Sequence, residues 1–481
     1  MAQFFIVVFI VFCSTAQAQF SARNLMENQY GKLPDTDQSN FSSLYNKLIV
    51  NYRFDDLKAT AGVQAFQTPF TDRNYIDPSW LGVNYKKKSL EINLGNFYKT
   101  LGRGLLLRSY EVQGGLLEDQ GFRTKHYFYR DILGASASIK LGKVNLTGLW
   151  GHPLSNVYPP NQPFENKRSD EIAALNVEYR LFKQKLALTG LNVKNEFENS
   201  NYGAINISGR ILPSLSYFTA YAQFLGDSKQ KNKKIAAFYG NLNYSMNKIG
   251  FSLEWKNYQN FLIASGINEP PALVREHSYL VLNRSTHVLL PDNESGVQFE
   301  FFYQLNNDNL ITLNYTQANN DLFKTYKYSE WFAEWATVIF NDSDLKIFID
   351  QAEDPLKNQS QRFSTGFLLD HKLVNRRGLA LEFNYQVFQR EGLSNQNYLG
   401  RITWRLKSEL YLNLHYEWST DRFLTSTHRE WLGSNINYKI NNQHQLLLFL
   451  GQRRGGPACN AGICYETLDF SGIEVRWLAR L

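Results

Sequence analysis

The sequence predicts an all-β fold, a closed, antiparallel, up-and-down β-barrel of the outer-membrane type. Three observations predict it. Apolar and polar side chains alternate strictly in segment after segment, the connections sort into a short and a long class taken in turn, and large aromatics sit at both ends of the alternating stretches.

Composition narrows the alternatives. With 43% hydrophobic and 15% aromatic residues among 481, disorder is excluded. Beyond the N-terminus no apolar run approaches the ~18 residues of a membrane helix, which excludes a polytopic helical protein. No Pro/Ser-rich linker divides the chain, so one barrel domain is expected over residues 19–481.

The N-terminus reads as an export signal over residues 1–18. Residues 4–13 are unbroken apolar, and Ala16-Gln17-Ala18 places small residues at −3 and −1 of a cleavage site, although the n-region carries only its amino terminus as charge. Phe12 before Cys13 is too bulky for lipoprotein processing.

Alternation is clearest in LALEFNYQV (379–387) and LYLNLHYEW (410–418), and it recurs from residues 48–54 to 473–481. Side chains two apart share a face, so each segment is a strand with one apolar and one polar side. Short connections fall at 55–56, 86–88, 142–143, 182–184, 306–309, 341–344, 375–378, 407–409 and 441–444. Long ones fall at 67–78, 151–170, 257–295, 352–362, 419–431 and 453–466. Short periplasmic turns and long extracellular loops are the expected assignment. Counting turns, and adding a closing strand within residues 20–33, gives about 24 strands, in a range of roughly 20–26. The pattern weakens at 101–131 and 257–295, either of which could add a hairpin, fold into the lumen or cap the outside.

Tyr52, Tyr85, Tyr179, Tyr244, Tyr303 and Tyr438 lie on the apolar parity just before short turns and are expected to form one interfacial girdle. Trp150, Trp255, Tyr315, Tyr385 and Trp418 are expected to form the other. The opposite parity then places Glu382, Arg401, Arg405, His415, Glu417, Lys439, Glu474, Arg476 and Arg480 toward the lumen, with Thr403 as a cross-strand neighbour of His415. Such charges read either as a satisfied network stiffening the wall or as a selectivity surface.

Cys459 and Cys464 are the cysteines outside the signal, with four residues between them in a Gly-rich loop. In an exported chain a local disulfide is expected; a metal site is the rival reading, though two thiolates without nearby His make a weak ligand set. The eight scattered His form no nucleophile motif, and Gly102-Arg103-Gly104 lacks the residues of a phosphate loop, so no enzyme, cofactor or metal is expected. A net charge of +7 without a basic stripe speaks against nucleic acid. Expected partners are outer-membrane lipid and lipopolysaccharide, the barrel-assembly machinery during biogenesis, and other envelope proteins.

The segments GNFYKTLGRGLLLRSYE (95–111) and GQRRGGPACNAGICYE (451–466), followed by the C-terminal strand, resemble those of Bacteroidota outer-membrane β-barrel proteins of a family of unknown function. The resemblance extends in strand and loop order over nearly all of the chain after the signal. It implies an integral outer-membrane barrel, and it implies that Gly102, Gly104 and the Cys459/Cys464 loop are family features of a structural kind. It brings no activity. Two functions follow as expectations: a porin-like channel for small solutes, or a non-conducting scaffold or accessory subunit of an envelope secretion, assembly or motility machine. The early start of alternation leaves no room for the plug domain of a TonB-dependent transporter.

Overall fold

The structure is a computed structural model and describes residues 19–32, 41–118, 124–226, 234–287, 292–321, 324–340, 342–422, 429–460 and 463–481, the last two without the side chains of 457–466. The signal segment, residues 1–18, lies outside the described residues.

Twenty-four antiparallel strands form one closed sheet. They are β1 (Gln19–Lys32), β2 (Phe41–Phe54), β3 (Leu57–Gln67), β4 (Tyr75–Lys87), β5 (Leu90–Phe97), β6 (Ile132–Leu141), β7 (Val144–Pro153) and β8 (Glu171–Leu181). Next come β9 (Gln184–Lys194), β10 (Asn199–Leu212), β11 (Leu215–Phe224), β12 (Ala236–Met246), β13 (Ile249–Gln259), β14 (Asn293–Asn306), β15 (Asn309–Asp321) and β16 (Thr325–Ile339). The last eight are β17 (Ser343–Asp354), β18 (Gln359–Lys372), β19 (Gly378–Arg390), β20 (Leu393–Lys407), β21 (Leu410–Ser419), β22 (Glu430–Lys439), β23 (His444–Arg453) and β24 (Phe470–Arg480). Each pairs with its sequence neighbours, and β24 pairs with β1 from Arg23↔Arg480 to Lys32↔Ser471, which closes the ring.

Backbone chemistry at the turns sets this register. Asp55, Lys88, Phe182 and Asn247 have φ of 48°, 50°, 54° and 54°, the left-handed geometry that matches a tight hairpin to strand twist. The two classes of connection are less cleanly sorted than the sequence suggests. At the long-loop end, β17 and β18 are joined by only 355–358, correcting the long loop expected at 352–362, and β19 and β20 by the two-residue turn Glu391-Gly392 (φ 49° and 72°).

Alternation carries through to packing. On β13, Ile249 and Trp255 point outward and are exposed, while Lys256 and Tyr258 point inward and are buried. Along β2 the inward residues pass from buried Phe41, Ser43, Tyr45 and Lys47, through half-buried Asn51, to exposed Arg53 at the short-turn end. The same gradient runs round the barrel: every one of the 24 strands carries at least one buried inward-facing residue in its long-loop half. The lumen is therefore filled at one end and open as a vestibule at the other.

The filling comes from the two stretches where alternation weakens. Between β5 and β6 the chain folds inward as a small turn around Gly102–Gly104 and a hairpin, Tyr110–Glu118 with Lys125–Arg130. Between β13 and β14 it folds inward again and includes a five-residue helix, α1 (Leu280–Arg284).

Candidate functional site

The interior of the barrel is the candidate site. Its apolar centre is Leu105, Leu106 and Leu107, all fully buried against Phe261, Ile263, Ile267 and Leu273 of the second inserted loop and the inner faces of β7–β13. Burial of three leucines favours docking by about 1.5–3 kcal/mol each. The two inserted loops are stitched by main chain: Glu269 N donates to Gly104 O at 3.0 Å and Arg108 N to Ile267 O at 3.1 Å. Asn268, itself buried, donates to Phe261 O at 2.7 Å. Gly104 has φ +94°, and a Cβ there would stand 2.2 Å from Glu269 O, so only glycine allows this approach.

The hairpin of the first loop rests on β1–β4, where Tyr127 and Tyr129 pack with Leu25, Tyr45, Phe66 and Tyr75. Lys125 Nζ meets Glu27 Oε1 at 2.6 Å. The second loop crosses to the opposite wall, where Tyr279, Val281 and Leu282 pack on Phe332, Phe348 and Leu399.

Polar grips surround these contacts. Arg362 lies between Glu330 (3.0 Å) and Asp350 (3.4 Å), all three buried, and Lys256 pairs with Glu294, both completely enclosed. His277 is 3.3 Å from Glu330. His287 is 3.5 Å from both Glu294 and Asp354 and stacks on Tyr328. Burial alone would lower the His287 pKa, but hydrogen bonding and charge from Asp354 and Glu294 raise it above its ordinary 6.5. In the loop after β23, burial lowers Arg454 to about 10, aided by nearby Arg284 and opposed by Glu417. Burial raises the Glu269 carboxyl, against the pull of Arg130 and Arg108.

The charges expected in the lumen divide by depth. Glu382 and Arg401 are opposite each other in register and pair at 3.1 Å, and Arg405 pairs with Asp370. Glu474 accepts from Gln29 at 2.7 Å and Arg453 at 3.1 Å, while Arg476 Nε donates to Glu27 at 2.9 Å. Glu417 receives Arg284 from α1. His415 is buried beside Phe449 and stands opposite Arg401 and Gly433; Thr403 instead accepts from Asn413 at 2.8 Å, a correction to the neighbour read from sequence. Lys439 and Arg480 are exposed and line a vestibule cavity of about 260 Å³ with Arg23, Lys47 and Glu111.

On the outside, Tyr179, Tyr244, Tyr303 and Tyr438 stand opposite apolar residues at the short-turn end: Val144 and Leu186, Leu215 and Phe251, Ile249 and Ile311, Leu410 and Leu446. Tyr52 pairs with Phe20 and Ala59, and Tyr85 with Leu57 and Ile92. Nearer the other end, Tyr385, Tyr398 and Trp418 form a cross-strand row with ring centroids 4.9 and 5.3 Å apart. Trp150 and Trp255 are exposed on the same outer face.

Backbone pairing places Cys459 directly opposite Cys464 in a hairpin, Gly456–Asn460 with Ile463–Thr467; their side chains lie outside the described residues. Among the described residues no cluster of three or more His, Cys, Asp or Glu is arranged to hold a metal ion.

Sequence reading did not find Arg284, Lys256, Glu294, Arg362 or His287, because inserted loops or strand register bring them to their partners; the local signal was the failing alternation.

Fold and interior together define a 24-stranded β-barrel with its own inserted loops packed inside its long-loop half. A family of unknown function (DUF6029) matches residues 191–448, more than half of the chain, and the chain belongs to that family. The match includes neither 95–111 nor 451–466. No curated protein matches the sequence. Among solved structures, the chain is similar to the P pilus usher (PapC) translocation pore (7% identity, 96% of this chain and 99% of that one, TM-score 0.47). It is also similar to OccK5 (OpdH) of Pseudomonas aeruginosa (12%, 84% and 97%, 0.41) and OccAB2 of Acinetobacter baumannii (11%, 84% and 98%, 0.42).

Proposed function

We propose that this barrel resides in an outer membrane and acts as a porin-like channel for small solutes whose long-loop mouth is constricted by its own inserted loops. The observation that carries this reading is the inner wall: polar outside the apolar patches that dock the inserted loops, and graded from exposed at the short-turn end to buried at the other, behind an outer face of apolar side chains. On this reading the short turns are periplasmic, the aromatic rows contact lipid and lipopolysaccharide at the interfaces, and insertion depends on the barrel-assembly machinery. Export requires the N-terminal signal.

A second reading, a non-conducting accessory barrel of an envelope machine, is favoured by one observation, the buried inward residues on all 24 strands. Planar-bilayer recording of the refolded, heat-modifiable barrel separates the two. Stable conductance steps, with selectivity shifted toward cations by Lys439→Gln plus Arg480→Gln, support the channel. A folded barrel that stays silent, and that co-purifies with envelope proteins, supports the accessory role.

A further inference from the structure

Where the first inserted loop touches the far wall, a second vestibule cavity opens, of about 550 Å³, lined by Arg103 of the loop, Lys183 of the β8–β9 turn, Ser208 and Arg210 of β10, Ser216 of β11, and Asn241 and Asn243 of β12. We propose that this cavity is a binding site for a small solute carrying an oxyanion, a carboxylate or phosphate, held between Arg103, Lys183 and Arg210.

Three observations carry it. First, several cations on this inner wall and rim are spoken for: Lys185 by Glu178 at 2.8 Å, Arg401 by Glu382, Arg405 by Asp370. Among the described residues no ion pair engages Arg103, Lys183 or Arg210. Second, the backbone is bent to present Arg103. Gly102, Arg103 and Gly104 are consecutive left-handed residues (φ 61°, 52° and 94°), and a non-glycine residue sits in that conformation only when its surroundings hold it there. The guanidinium lies 4.0 Å over the Phe218 ring, which fixes its plane without neutralising its charge. Third, Ser208 and Ser216 bring hydroxyls to the lining that can donate to an oxyanion. The nearby carboxylate, Glu254, is already engaged by Tyr239 Oη at 2.7 Å and Asn241 Nδ2 at 3.1 Å. A planar guanidinium with two further cations suits a carboxylate or phosphate better than a halide.

Binding here does not require conduction, so the test stands apart from the channel reading. Isothermal titration of the purified barrel in detergent uses succinate and inorganic phosphate as probes and glucose as the uncharged control. Saturable binding of one or both anions, with no binding of glucose, is expected. Arg103→Gln and Arg210→Gln should each weaken it about tenfold, the loss of one charge-assisted hydrogen bond. Lys140→Gln removes the same charge from the vestibule wall outside the cavity and should leave binding within about twofold. Succinate binding alone identifies a carboxylate site, phosphate binding alone a phosphate site. Absence of binding by either anion, or equal weakening in all three variants while each remains heat-modifiable, overturns the proposal.

Discussion

Arg284 of α1 and Glu417 of β21 meet as a two-pronged pair, both terminal guanidinium nitrogens reaching the two carboxylate oxygens, and so fasten the inserted helix to the barrel wall. The same guanidinium also donates to Arg454 O at 3.3 Å.

Removing the carboxylate leaves Arg284 and Arg454 as neighbouring, half-buried cations. Glu417→Gln should therefore destabilise the docked loop by about 1.5–3 kcal/mol, the loss of a charge-assisted pair. Hydrogen exchange across 260–287 should quicken while exchange in β2 and β3 stays as it was. Adding Arg454→Met should restore part of the protection.

His287 makes the grip depend on pH. Its folded pKa is raised, so the protonated form is favoured by folding. That contribution is complete below the unfolded value of 6.5 and is lost as pH rises through the folded pKa. Lys256, Lys357, Arg362 and the Tyr328 ring also face this pocket. Exchange protection of 260–287 should fall as pH rises above 6.5, and His287→Gln should flatten the dependence.

Leu106 is fully buried at the junction of both inserted loops. Leu106→Ala should cost about 2–5 kcal/mol through lost transfer energy and the cavity left behind. The barrel wall should survive, because its strands pair independently of this side chain. Circular dichroism should stay unchanged while limited proteolysis within 98–131 increases.

Cys459 and Cys464 are directly opposed across a hairpin. Alkylation of the exported protein before and after reduction should detect the two thiols only after reduction. Cys459→Ser should lower stability by about 2 kcal/mol or less, since so short a loop restricts the unfolded chain little.

The wall was legible in the sequence because each strand writes its own two faces: 379–387 and 410–418 become β19 and β21 with the expected sides outward, and β1 lies where a closing strand was required. Glu391-Gly392 was not, because Glu is an unusual left-handed turn residue and the flanking polar run hides the reversal. Leu105-Leu106-Leu107 carries no period at all; its meaning comes from the space it fills. The pairing of Arg284 with Glu417 joins residues 133 positions apart, and no local pattern encodes such a distance. Charge parity placed Glu382 and Arg401 on one face, yet only the register made them partners.

The seam between β1 and β24, sealed where Ala22 and Leu481 exchange main-chain hydrogen bonds, also sets an order of events. Nearly every other strand can pair with a neighbour made moments earlier, but this one contact waits for residues 471–480 to arrive. Until then the growing sheet has two open rims, each able to recruit a stray strand. Both rims stay open to other chains for the whole time it takes the last strand to arrive, and a truncation that spares all the inserted loops but drops β24 should yield aggregates rather than a smaller barrel.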